Sequence, residues 1–143
     1  MFIRNLNYDD YNKYILLINS YLSQEKYNNF LKNTLNDNHQ ILVIDDDDNN
    51  IIACGTIFIE PKMTHGGCLM GHIENILVNI NYRNKGLGEI LVKKLLDIAK
   101  NRGCYRTDLT CNNELENFYK KNNFNKNQIS MSILFEENFP EKV

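Results

Sequence analysis

The chain has 143 residues, 43% of them hydrophobic and 24% charged, with a formal net charge of −2. That describes one ordinary globular domain, residues 1–143, long enough to bury a full core. The slight acidity speaks against nucleic acid or an anionic membrane as main partner. No apolar run reaches transmembrane length and Met1-Phe2-Ile3-Arg4-Asn5 is not a secretion signal, so a cytoplasmic protein is expected.

In chain order, Phe2 to Leu6 alternates as a short strand, and Asp9 to Leu22 carries Tyr11, Tyr14, Ile15, Ile18 and Leu22 at helical spacing. Ser23 can cap a second helix whose buried face is Tyr27, Phe30, Leu31 and Leu35. His39 to Ile44 and Ile51 to Ile59 are β-rich runs. The acidic stretch Asp45-Asp46-Asp47-Asp48-Asn49-Asn50 between them lacks the alternation and glycine of a calcium loop and reads as a solvated hairpin turn. Lys62 to Gly71 is a loop and His72 to Val78 a strand. Leu87, Leu91, Leu95 and Ile98 then form one helical stripe that Gly103 ends. Tyr105 to Cys111, Asn113 to Lys121 and Ile129 to Phe135 read as strand, helix and strand. The order β-α-α-β-β-β-α-β-α-β predicts an α/β (α+β) domain with one central mixed sheet flanked by helices. Cys54, Cys68, Cys104 and Cys111 show no C-x-x-C spacing and are expected as reduced thiols packed like small hydrophobes; no metal site is expected.

The most informative stretch is Arg83-Asn84-Lys85-Gly86-Leu87-Gly88. It joins an apolar strand to a helix, so free backbone N–H groups gather at a positive dipole end and suit a phosphate or pyrophosphate. A Walker loop is absent, and the third glycine of a dinucleotide fingerprint is replaced by Leu91. Two glycines alone leave a purely structural loop open.

The residue types R-x-x-G-x-G after an acid-bearing strand resemble the acyl-CoA signature of the GNAT N-acetyltransferase superfamily. Four further strings resemble its glucosamine 6-phosphate N-acetyltransferase branch. They are Glu60-Pro61-Lys62-Met63-Thr64-His65, Gly71-His72-Ile73-Glu74-Asn75-Ile76-Leu77-Val78, Cys104-Tyr105-Arg106-Thr107-Asp108-Leu109-Thr110-Cys111 and Phe118-Tyr119-Lys120-Lys121-Asn122-Asn123-Phe124.

The resemblance implies acetyl transfer from acetyl-CoA, as co-substrate and without a metal, to the 2-amino group of glucosamine 6-phosphate. It implies that Ile76, Leu77 and Val78 face the pantetheine arm and that Arg83, Asn84, Lys85, Gly86, Leu87 and Gly88 wrap the pyrophosphate. Glu74 would be the base and Tyr119 the donor to the departing sulfur. Lys62, His65, Glu74, Asn75 and Arg106 would hold the sugar phosphate, in a ternary complex within a homodimer joined through Ile129 to Phe135. Independently of the name, acyl transfer needs a neutral amine, a polarised carbonyl and a stabilised thiolate. The apolar neighbours Ile73, Ile76 and Val78 predict that Glu74 is desolvated, which raises a carboxyl pKa. The chain departs from the branch at Asn75, where an aspartate is usual, at Asn123, where glycine is usual, and in Ile129 to Phe135, which holds no basic residue. Another amine acceptor, such as a polyamine or protein terminus, or a catalytically silent acyl-CoA-binding module, are the alternative readings.

Overall fold

The computed structural model describes residues 1–136, so residues 137–143 of the expected single domain lie outside the described residues. Strands β1 (Phe2–Asn5), β2 (His39–Asp45), β3 (Ile51–Pro61), β4 (Leu69–Val78) and β5 (Cys104–Asp108) form one sheet in sequence order. Helices α1 (Tyr11–Ile18), α2 (Gln24–Asn33), α3 (Leu87–Asn101) and α4 (Glu116–Lys121) connect or flank them. The first three strand pairs are antiparallel; β4 and β5 run parallel because α3 crosses between them. The mixed sheet and the element types match the expectation from sequence as far as α4.

Local chemistry explains the punctuation. Asn19 ends α1 in the left-handed region (φ 47°) with its N–H on the Ile15 carbonyl, and Ser23 Oγ accepts from Lys26 N–H to start α2. Gly103, at φ 80°, turns the chain out of α3 into β5. The sheet buries both faces. Leu42, Ile44, Ala53, Ile57, Ile59 and Ile73 pack under the α3 stripe of Leu87, Leu91, Leu95 and Ala99. On the other face Ile41, Val43, Ile51 and Cys54 meet Leu6 and Tyr27, with Tyr11 and Tyr14 at the margin. No helix among the described residues is long and apolar enough to cross a membrane.

Four expectations need correction. Residues 129–135 form no strand: Ile129, Met131, Ile133, Leu134 and Phe135 are 75–94% exposed. β-favouring side chains make a strand only when a neighbour completes the hydrogen-bond ladder, and none does so among the described residues. Of the expected α2 face only Tyr27 is fully buried; Leu31 and Leu35 pack partly buried beside it, and Phe30 stays 37% exposed with its ring edge-on to His39 at 5.4 Å. Cys54 is buried, but Cys111 is exposed, since β5 stops at Asp108 before reaching it. The acidic turn is solvated only beyond its first residue, for Asp45 is 2% exposed and paired with Arg4 at 2.6 Å.

Candidate active site

Two irregularities in β4 make the site. Against β3, Cys54 pairs with Leu77 and Thr56 with Glu74, so Asn75 and Ile76 together oppose Gly55. This is a β-bulge, and Asn75 takes the left-handed conformation (φ 55°) that asparagine tolerates better than most residues. The bulge shifts the alternation, so that Ile73, Ile76 and Val78 all pack toward α3. Against β5, the parallel pairing ends at His72 with Asp108, while β4 continues to Val78. From Ile73 onward β4 therefore has no β5 neighbour, and its backbone groups on that side face a wedge.

A cavity of about 890 Å³ opens beside this wedge. It brings together Glu74 and Asn75 from β4, Arg106 and Asp108 from β5, and Tyr119 from α4. Glu74 is exposed at the cavity wall, which corrects the expectation of a desolvated carboxylate: it alternates with inward-facing Ile73, and the bulge after it returns Ile76 and Val78 to the buried face. Tyr119 is only 8% exposed, with its ring edge-on to Phe118 at 4.9 Å and Phe124 at 5.8 Å. Burial first, then proximity to Cys111, pushes its phenol above the ordinary value, so it stays a proton donor.

The cations in the cavity are already partnered. Arg106 Nε lies 3.0 Å from Asp108, Lys126 3.2 Å from Glu116, and Lys120 4.0 Å from the same glutamate. Lys62 and His65 sit on the β3–β4 loop and do not line the cavity. Lys62 is 3.5 Å from Glu60, whose carboxyl also meets His72 at 3.0 Å; that bond, aided by Lys62, holds Glu60 below the usual carboxylate range. His65 stacks on Tyr105 of β5, ring centroids 4.5 Å apart.

The glycine loop follows β4. Arg83 Nε donates to the Val78 carbonyl at 3.2 Å, and Asn84 (φ 63°) and Gly86 (φ 82°) turn the backbone into α3. Lys85 Nζ lies 5.2 Å from the Tyr82 ring centroid, and Tyr82 in turn donates to Asp46 at 3.0 Å. Gly86 provides no capping side chain, so the first-turn amides of Leu87, Gly88 and Glu89 are left for an external acceptor. A Cβ on Gly88 would lie 3.1 Å from Phe118 Cζ. The second glycine thus lets α4, and with it Tyr119, close on the loop.

Asp108 and Lys126 also line the cavity, beyond the site residues expected from sequence. Asp108 was legible, because Arg106 and Asp108 two apart on a strand share a face. Lys126 lies on irregular chain and left no such signal.

The acetyltransferase (GNAT) family model matches residues 2–124. A probable glucosamine 6-phosphate N-acetyltransferase 2 of Oryza sativa subsp. japonica is 39% identical over 104 residues, covering 71% of this chain and 63% of its own. Glucosamine 6-phosphate N-acetyltransferase 1 of Dictyostelium discoideum is 41% identical over 93 residues, covering 65% of this chain and 59% of its own. The chain thus spans about three fifths of the length of these curated relatives. The crystal structure of glucosamine-6-phosphate N-acetyltransferase from Arabidopsis thaliana superimposes with a TM-score of 0.89 at 31% identity, over 94% of this chain and 98% of that one. A bulged β4, a wedge beside it and a glycine loop with open amides are thus accompanied by a family match across most of the sequence, and the chain belongs to the acetyltransferase (GNAT) family.

Proposed function

We propose that the protein transfers an acetyl group from acetyl-CoA to the 2-amino group of glucosamine 6-phosphate, giving N-acetylglucosamine 6-phosphate and CoA, as a step of amino-sugar metabolism in the cytoplasm. The observation that carries this reading is the meeting of the wedge, Glu74 and Tyr119 in one cavity. The pantetheine amides pair with β4 from Ile76 to Val78 where β5 has left it, and the pyrophosphate rests on the amides of Arg83 to Gly88. The sugar amine attacks the thioester carbonyl, and the bulged backbone near Ile76 to Val78 polarises its oxygen. Glu74 takes the proton from the amine, and Tyr119 gives one to the departing sulfur. Both substrates are present together, and no covalent acetyl-enzyme forms. Asn75 hydrogen-bonds the sugar without adding charge. Arg106 attracts the phosphate from the cavity wall, sharing its guanidinium with Asp108, and Lys62 and His65 contribute from the β3–β4 loop outside the cavity.

The homodimer forms through residues 129–135. Among the described residues the outer edge of β5 pairs with no strand, and the apolar segment Ile129 to Phe135 pairs with none. Exchange of this segment between two copies satisfies both. Light scattering at micromolar concentration should give twice the chain mass, and truncation after Gln128 should give the monomer; a monomeric full-length chain contradicts the exchange.

Thiol release from acetyl-CoA tests the activity, with glucosamine 6-phosphate, glucosamine, spermidine and a peptide amine as acceptors. Glucosamine 6-phosphate should be the preferred acceptor. Equal or lower release with it than with the others refutes the substrate assignment. Glu74→Gln should lower turnover on the order of 10²-fold or more with CoA binding retained; a fully active variant removes Glu74 as base.

A further inference from the structure

The bulge that aims Glu74 needs an explanation on the facing strand. An inserted residue disrupts the ladder and persists only where the partner accommodates it. Two adjacent residues of β3 do so. The buried Cys54 thiol donates to the carbonyl of Asn75 at 3.8 Å, which anchors the inserted residue itself. Its neighbour Gly55 is the single residue facing Asn75 and Ile76. A Cβ built on Gly55 would lie 2.7 Å from Ile76 Cδ1 and 3.0 Å from Leu95 Cδ1. The Ile76 side chain therefore occupies the place where the side chain of residue 55 would stand, wedged against α3.

Backbone freedom is not the reason for this glycine. Gly55 is absent from the residues with positive φ, so alanine could adopt its backbone. What residue 55 lacks is a methyl group's worth of volume. Filling it would press on the Cδ1 ends of Ile76 and Leu95; Leu95 is fully buried, with little room to turn aside, so the push is taken up at Ile76, one of the two bulge residues. Its displacement would flatten or shift the bulge, rotating Glu74 and the amides from Ile76 to Val78 together.

We propose that Gly55 is a positioning residue for acetyl transfer: it admits the Ile76 side chain and thereby holds the β4 bulge that orients Glu74 and the polarising amides. This rests on the acetyltransferase reading above, and the test separates the two. Backbone chemical shifts of Asn75, which report its left-handed conformation, are measured for the wild type, Gly55→Ala and the Gly55→Ala/Ile76→Val double variant, alongside kcat and KM with glucosamine 6-phosphate.

Gly55→Ala should move the Asn75 shifts and lower kcat and kcat/KM together, on the order of tenfold to a hundredfold, as expected when reacting groups are misplaced. Ile76→Val removes the nearer of the two clashing Cδ1 atoms, leaving Leu95 Cδ1 to yield by a few tenths of an ångström, and should restore both shifts and turnover in the double variant. A merely structural role would lower thermal stability and leave kcat per folded molecule unchanged. The proposal is overturned if Gly55→Ala keeps the wild-type shifts and kcat, or if the folded double variant recovers neither. Should Gly55→Ala not fold, the double variant is compared with Ile76→Val: equal shifts and kcat support the proposal, unequal ones overturn it. If the wild type acetylates no amine while the shifts follow the expected pattern, the bulge assignment stands and the activity reading falls.

Discussion

Replacing Arg4 by methionine gives the sharpest test of how the sheet edge is held. The Arg4 guanidinium reaches Asp10 at 2.6 and 2.8 Å and Asp45 at 2.6 and 3.1 Å. The two aspartates are 4% and 2% exposed, so neither can turn to water when the arginine is gone. Removing one partner of a buried pair costs about 3–5 kcal/mol, chiefly from the charges left behind. Arg4 itself is 23% exposed, which places the expected loss near the lower end, roughly 3 kcal/mol. For a domain of this size that is roughly 10 °C in Tm.

The pH dependence has a definite sign. Burial alone would raise the Asp10 carboxyl, but hydrogen bonds from Arg4 and from Asn7 N–H outweigh it and hold it below its usual value. Its contribution is therefore complete above the unfolded carboxylate pKa, about 4, and lost as pH falls through the lower folded value. Urea unfolding at pH 7 and at pH 3 should show the gap between wild type and Arg4→Met shrinking toward acid. Because β1 lies at the edge of the sheet opposite β5, turnover per folded molecule should be unchanged. A loss below about 1 kcal/mol at pH 7, or a gap that widens in acid, refutes the reasoning.

Tyr119→Phe should lower kcat on the order of 10²-fold. Since burial raises the wild-type phenol, kcat should not fall below pH 10 through loss of this proton; an alkaline limb that begins near neutrality and is abolished in Tyr119→Phe would remove Tyr119 as donor. Gly88→Ala places a methyl 3.1 Å from Phe118 Cζ and should weaken CoA binding, read by calorimetry, by about 1 kcal/mol; unchanged affinity would mean that Phe118 yields freely. In thiol labelling of the folded protein, exposed Cys111 should react first. Cys54, whose thiol burial pushes up to about 12, should react only on unfolding; early labelling of Cys54 would contradict its packing.

The donor half of the site was more legible than the rest. A strand, Arg83 to Gly88 and the Leu87-Leu91-Leu95 stripe declare a loop with open amides, because helix periodicity and glycine placement are local properties. Motif likeness points to Glu74 and Tyr119, and their meeting in one cavity depends on β4 and α4 being brought together across the fold. What the sequence could not show is relational. That Ile73, Ile76 and Val78 share one buried face while Glu74 stands off it follows from an inserted residue at Asn75, which Gly55 on another strand accommodates. The partners of Arg106 and Lys126 depend on where Asp108 and Glu116 come to lie. Residues Ile129 to Phe135 carry the composition of a strand, but strand formation is a property of pairs.

The parting of β4 from β5 after His72 and Asp108 also couples endurance to supply. A donor whose amides stand in for the absent strand recognises only the folded chain, so each bound molecule draws the unfolding equilibrium back. At a free concentration 100 times its Kd, such a ligand adds about 2.7 kcal/mol. If the proposed donor pairs with β4 in this way, susceptibility to proteases falls as free donor rises, which limited proteolysis with and without CoA would read.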